Sequence, residues 1–96
     1  MKKIQQAEKV KRLLGEALTG LHEAIIEWPQ KPLTFTSEEE LASLYKNIKK
    51  MKNSLDENTA IEVLGLWRIV IDTWPYTSKL RQKIVEAELA YERLYE

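Results

Sequence analysis

Apolar residues recur every three or four positions along most of the chain, which is the spacing of an α-helix with one buried side. Apolar stripes of this kind run through residues 3–28, 37–52 and 78–95, whereas residues 55–74 are apolar almost throughout and carry one narrow polar strip. The apolar band in residues 3–28 consists of two adjacent stripes, one of Ile4, Ala7, Leu14, Leu18, Leu21, Ile25 and Trp28 and the other of Val10, Leu13, Ala17 and Ala24. The pattern therefore predicts four helices, over about residues 3–28, 37–52, 55–74 and 78–95, and the third should be the most buried.

Capping signals indicate where the second and third helices begin. Ser37 and Glu40 have the spacing of a capping box, which opens the second helix. Asn53 tolerates a left-handed backbone and is the expected end of that helix, and Ser54 with Glu57 forms a second capping box. The sequence therefore predicts a tight connection between the second and third helices.

Two of the predicted helices end with the same pair of residues, Trp28 before Pro29 and Trp74 before Pro75. A residue that precedes proline is disfavoured in the α region, so each helix should stop there. Each stop is followed by a stiff connector that carries a further large aromatic residue. The aromatic candidates for a protein interface are Trp28, Phe35, Trp74 and Tyr76. The alternative is that these rings seal the ends of the core, with each indole N–H bonded to a carbonyl or to water.

The distribution of charge predicts how the helices are arranged. The first helix begins with several basic residues, and the fourth ends with Glu86, Glu88, Glu92 and Glu96. Both placements oppose the helix macrodipole, but they compensate each other if the two ends lie side by side. An up-down-up-down bundle brings the start of its first helix and the end of its fourth to one pole. We therefore predict an all-α fold, a four-helix antiparallel bundle that occupies residues 1–96 as a single domain.

The length of the first helix raises the question of a second copy. This helix is predicted to exceed the fourth by about two turns, so Ile4 and Ala7 either pack on a connector or overhang the bundle. Overhanging apolar residues would be buried by a second chain, and a homodimer through helix one is therefore a hypothesis.

Composition narrows the classes of protein. The 96 residues are 44% hydrophobic and 31% charged, which is typical of a globular domain. There are 15 basic and 15 acidic side chains, and the resulting net charge of zero argues against nucleic acid as a partner. The absence of cysteine fits a reducing cytoplasm and excludes disulfides. No apolar run is long enough to cross a bilayer, so we expect a soluble cytoplasmic protein with no membrane partner.

Few residues offer catalytic chemistry. His22 is the only histidine, and no lysine or carboxylate is placed around it as in a phosphotransfer or general-base motif. Glu38, Glu39 and Glu40 suit the first turn of a helix, where carboxylates complement the macrodipole, better than they suit a metal site. We therefore expect no catalytic residue, no metal and no cofactor, and a protein that is not an enzyme.

These observations lead to two functional hypotheses. The first is a small non-enzymatic helical module that binds another protein, of the inhibitor, immunity or regulatory adaptor type. The alternative is a nucleic-acid-associated accessory protein that uses the lysine face of helix two, formed by Lys46, Lys49, Lys50 and Lys52. The stretch SEEEL at 37–41 resembles one in the colicin immunity proteins, in a capping box and one leucine. The tyrosine-rich acidic loop of that family is missing, so the resemblance assigns no family.

Overall fold

The computed structural model describes residues 2–57 and 65–94, with side chains from residue 6 onward, and these residues form four α-helices and no β-strand. The helices are α1 (Lys2–Glu27), α2 (Glu38–Asp56), α3 (Trp67–Thr73) and α4 (Lys79–Leu94). α1 packs against both α2 and α4, and α3 packs against α4. The prediction of an all-helical fold is confirmed for these residues. No helix in the described ranges combines the length and the apolar character that a bilayer span requires.

The core is built from the helical stripes. Residues three or four positions apart lie on one side of a helix, so each stripe buries a continuous face. The buried apolar residues are Val10, Leu14, Ala17 and Leu21 from α1, Leu41, Leu44, Ile48, Met51 and Leu55 from α2, Val70 and Trp74 from α3 and its end, and Ile84, Ala87 and Tyr91 from α4. In α1 the buried residues come from both stripes of the predicted apolar band, Leu14 and Leu21 from one and Val10 and Ala17 from the other, whereas Leu18 and Ile25 are only partly buried.

The backbone leaves the helical conformation at both Trp–Pro pairs. α1 ends at Glu27, and the amide of Trp28 donates to the carbonyl of Ile25 in a tighter turn, at 3.3 Å. Trp74 is extended, with φ −89° and ψ 145°, as expected of a residue that precedes proline. At the start of α2, the hydroxyl of Ser37 accepts from the amide of Glu40 at 3.1 Å and satisfies one of the free amides of the first turn.

The connection predicted at Asn53 and Ser54 is wrong. α2 continues through both residues to Asp56 instead of ending at about 52, so a third helix does not begin at 55. Ser54 is buried, and its hydroxyl donates to the carbonyl of Met51 at 2.7 Å. A serine inside a helix can satisfy its hydroxyl on a carbonyl of the preceding turn, and so it need not act as a cap.

The third helix is also shorter and more exposed than predicted. Residues 58–64 of the predicted 55–74 helix lie outside the described residues. Gly65 has a φ of +68°, in the left-handed region, so a right-handed helix cannot continue through it. α3 itself has seven residues, of which only Val70 is buried. In the described part of the chain, α3 is therefore not the most buried helix.

The predicted compensation of charge between the start of helix one and the acidic end of helix four is not made by ion pairs among the described residues, although Lys9 of α1 and Glu86 of α4 line the same groove. The carboxylate of Asp56, at the end of α2, lies 3.0 Å from the amine of Lys11. Glu88 is fully buried, and Glu92 accepts a hydrogen bond from the indole of Trp67 at 3.0 Å. The side chains that hydrogen-bond these two glutamates lie on other helices, Asn47 in α2 and Trp67 in α3.

Candidate functional site

Trp74 lies in the core, and two neighbours fix its ring. Its side chain is 4% exposed, and its indole N–H donates to the Oε1 atom of Glu40 at 2.9 Å. The ring of Phe35, from the connector between α1 and α2, lies with its centroid 5.0 Å from that of Trp74 at an angle of 59°. Trp28 and Phe35 are both half-buried and pack against the same core. The structure therefore brings Phe35 and Trp74 together as a cover over one end of the core.

Tyr76 has a different environment, although it lies only two residues beyond Trp74. Its side chain is 84% exposed, and the guanidinium carbon of Arg81 lies 4.8 Å from the centre of its ring. Pro75 fixes one backbone angle of the turn, and the amide of Ser78 donates to the carbonyl of Pro75 at 3.0 Å. The ring is thus presented to solvent by a backbone that has little freedom.

Apolar exposure is concentrated around this turn. The large hydrophobic residues that are exposed in the described ranges are Ile26, Ile69, Ile71 and Tyr76. Three of them therefore lie within residues 69–76. The carbonyl of Ile71 accepts from Nη2 of Arg81 at 3.2 Å, so Ile71 and Tyr76 both adjoin Arg81. We call Ile71, Tyr76 and Arg81 the Tyr76 surface.

The lysine face of α2 is open to solvent. Lys46, Lys49 and Lys50 are exposed and lie on one side of the helix, and Lys52 is half-buried. The amine of Lys49 lies 6.0 Å from the centre of the Tyr45 ring. These lysines form a cationic side of α2. The Tyr76 surface lies elsewhere in the chain, on α3, α4 and the turn between them.

A groove of about 430 Å³ lies between α1 and α4. Its apolar lining residues are Val10, Leu13, Leu89, Ala90 and Leu94, and its polar lining residues are Gln6, Lys9, Glu86 and Arg93. The three charged residues form no ion pair with any other described residue. The groove therefore combines an apolar floor with both signs of charge.

A buried polar cluster joins α2 to α4, and the sequence analysis did not identify it. The side-chain amide of Asn47 donates to Oε1 of Glu88 at 3.1 Å, while Oε2 of Glu88 is buried without a partner in the described residues. The hydroxyls of Ser54 and Tyr91 lie 2.6 Å apart. Either hydroxyl can be the donor in this pair. The signal was present, since Asn47 and Glu88 both fall within the buried stripes of their helices.

The environment of Glu88 changes its acidity. Burial raises the pKa of the Glu88 carboxyl from 4.5 to about 7, because an apolar environment disfavours the charged form. The negative charge of Glu92 adds to this rise in the pKa, and the hydrogen bond from Asn47 partly offsets it. Glu88 is therefore a buried carboxyl that changes its charge near neutral pH.

The remaining candidates for chemistry are dispersed. His22 is exposed, and its ring centroid lies 6.3 Å from that of Tyr45. Glu38 and Glu39 face solvent in the first turn of α2. Within residues 2–57 and 65–94, no three histidine or carboxylate side chains lie close enough together to hold a metal ion. No protein-family model, curated protein or solved structure matches the chain.

Proposed function

We propose that this protein is a small non-enzymatic helical module that binds another protein through the Tyr76 surface. The observation that supports this function is the 84% exposure of a large aromatic ring on a proline-stiffened turn. Tyrosine is favoured as an interface anchor because it offers a large contact area, and a proline-stiffened turn loses little backbone entropy on binding. Ile71, whose carbonyl accepts from Arg81, is also exposed. A role as inhibitor, immunity protein or regulatory adaptor is consistent with such a contact, and the cysteine-free chain fits a cytoplasmic location.

We further infer that the helices follow one another in antiparallel, up-down-up-down order. Three observations support this arrangement. Lys11, near the start of α1, pairs with Asp56 at the end of α2. Gly20, in the second half of α1, lies so close to Leu80 at the start of α4 that an added Cβ would be 2.7 Å from its Cδ1. Arg81, in the first turn of α4, donates to Ile71 near the end of α3. In this arrangement both Trp–Pro pairs lie at one pole.

We expect the Tyr76→Ala variant to lose its partner while remaining folded. Immobilised wild-type protein would be exposed to a nuclease-treated lysate of the source organism, and the retained protein would be identified by mass spectrometry and purified. Its affinity for Tyr76→Ala should be at least about tenfold weaker than for wild type, as for other buried aromatic anchors. Equal affinity for both would contradict the proposal.

A matched control variant distinguishes protein binding from the nucleic-acid alternative. The triple variant Lys46→Glu, Lys49→Glu and Lys50→Glu reverses three exposed charges on α2 and leaves the Tyr76 surface unchanged. It should bind the protein partner as the wild type does. Binding to DNA or RNA that weakens steeply with salt and disappears in the triple variant would instead support the accessory-protein function.

We also propose a homodimer in which the groove between α1 and α4 receives a second copy of the chain. The residues on which the sequence-based hypothesis rested do not provide the support, because Ala7 is half-buried and the side chain of Ile4 lies outside the described residues. The support comes instead from the groove. In a two-fold symmetric pair, Glu86 of each copy can meet Lys9 or Arg93 of the other, because within residues 2–57 and 65–94 these charges of the groove form no ion pair. The apolar floor would be buried by the same contact.

Sedimentation equilibrium tests the homodimer. The mean mass of the wild type should rise from 11.3 kDa towards twice that value as concentration increases. Glu86→Lys should keep the protein monomeric to higher concentration, because it leaves the groove with positive charges only. The double variant Glu86→Lys and Lys9→Glu restores both signs of charge and should recover association. A wild type that stays at 11.3 kDa at every concentration would refute the dimer.

A further inference from the structure

We infer that Arg81 is a binding site for a carboxylate, supplied by an aspartate or glutamate side chain of the partner protein. The inference rests on the proposed function, since it specifies the chemistry that the Tyr76 surface recognises.

Arg81 is a buried cation without an acidic partner. Its side chain is 9% exposed, and a guanidinium keeps its charge at any physiological pH. Nη2 donates to the carbonyl of Ile71 at 3.2 Å, whereas Nε is buried and has no hydrogen-bond partner in the described residues. No carboxylate of the described residues forms an ion pair with it. A buried charge without a counter-ion is costly, and a carboxylate that accepts two parallel N–H bonds is the group that matches a guanidinium best.

Tyr76 controls access to this cation. Its ring covers one side of the guanidinium at 4.8 Å, and most of the ring lies in solvent, so it can rotate without breaking core contacts. The turn beneath it is held by the bond between Ser78 and Pro75. Rotation of this one exposed side chain would uncover that side of the guanidinium without a change of the backbone.

The surroundings favour a protein carboxylate over a phosphate. Arginine pairs with both groups, but a nucleic acid would be expected to meet a broad cationic surface. The two residues that contact Arg81 here, Tyr76 through its ring and Ile71 through its carbonyl, are exposed hydrophobic residues. An acidic side chain flanked by apolar ones matches this combination. The partner surface is thus expected to present a glutamate or aspartate between hydrophobic residues.

Nuclear magnetic resonance provides the test. The wild-type protein would be titrated with the peptide acetyl-Leu-Glu-Leu-amide, with the matched acetyl-Leu-Gln-Leu-amide, and with inorganic phosphate. The glutamate peptide should shift the Nε–H resonance of Arg81 and the ring resonances of Tyr76 in a saturable way, and the glutamine peptide should bind at least about tenfold more weakly. No saturable shift, equal binding of the two peptides, or tighter binding of phosphate than of the glutamate peptide would overturn the inference.

Variants separate this inference from the proposed function. Arg81→Lys keeps the charge but loses the planar set of donors, and it should bind both the glutamate peptide and the purified partner at least about tenfold more weakly. Tyr76→Ala leaves the guanidinium in place and uncovers it, so the peptide should still shift the Arg81 resonance. If the partner depends on Tyr76 but binds Arg81→Lys as tightly as wild type, the carboxylate inference fails and the proposed function stands. If the peptide binds as expected but Tyr76→Ala retains the partner, the carboxylate site stands and the proposed function fails.

Discussion

Replacing Glu88 by glutamine is expected to remove most of the pH dependence of stability between about pH 4.5 and 7, and to make the protein more stable than wild type above pH 7. The pKa of this carboxyl is raised from 4.5 to about 7 in the folded protein. Between these values the folded state holds a proton that the unfolded chain has released. The free energy of unfolding of the wild type therefore falls as pH rises through this range, and it levels off above pH 7.

The expected size of this effect follows from the same pKa. A rise from 4.5 to about 7 corresponds to a loss on the order of 3 kcal/mol of stability across the interval. Glu88 is fully buried, so solvent screening reduces this figure little. Glutamine has nearly the same shape, stays neutral, and can keep its carbonyl oxygen as the acceptor for Asn47. It therefore avoids the cost of a buried negative charge at high pH.

Urea unfolding of wild type and Glu88→Gln at a series of pH values between about 4.5 and 8 would measure the difference in stability, in which contributions common to both chains cancel. The groups that face Glu88 are Asn47 from α2 and Glu92 from α4, and the latter is held by Trp67 from α3. Glu92→Gln removes the second charge, so it should move the pH dependence of Glu88 to lower pH without abolishing it. Parallel curves for wild type and Glu88→Gln would show that the pKa of this carboxyl is not raised in the folded protein.

The sequence was sufficient to predict a helical fold because helical periodicity depends on neighbours within one turn. It failed where the deciding contact comes from another helix. Ser54 has the spacing of a capping box with Glu57, but it lies in α2 beside the hydroxyl of Tyr91. Glu88 was expected to compensate the basic start of the first helix, yet it is buried and accepts a hydrogen bond from Asn47 of α2. A local sequence pattern contains no information about a contacting residue that lies far away in the chain.

The aromatic candidates also show that local patterns predict where helices end but not which side chains become buried. Proline chemistry was enough to stop two helices, but it could not distinguish a residue that closes the core from one that contacts a partner. Trp74 is buried because Phe35 and Glu40 receive its ring and its indole N–H. Tyr76, two residues along, has Arg81 on one face and solvent on the rest. Their sequence contexts are similar, and only the packing of the connector separates them.

Trp74→Ala is expected to cause the largest loss of stability, about 3–5 kcal/mol, which is the usual cost of truncating a buried aromatic residue. The ring is 4% exposed, so its removal leaves a cavity beside Phe35 and deprives the half-buried carboxylate of Glu40 of its donor. Trp74→Phe keeps most of the buried ring and removes only the indole N–H, so its loss should be smaller, about 1–2 kcal/mol. Urea unfolding at neutral pH would measure both variants against wild type.

Tyr76→Ala is the matched control, because it truncates an aromatic residue of the same turn that is 84% exposed. Its stability should lie within about 0.5 kcal/mol of wild type. The contrast decides how binding experiments are interpreted, since a loss of partner in Trp74→Ala can come from unfolding, whereas the same loss in Tyr76→Ala cannot. If Trp74→Ala unfolded with the free energy of the wild type, Trp74 would not be part of the core. It would then be available as a contact residue, and the binding surface would have to include it.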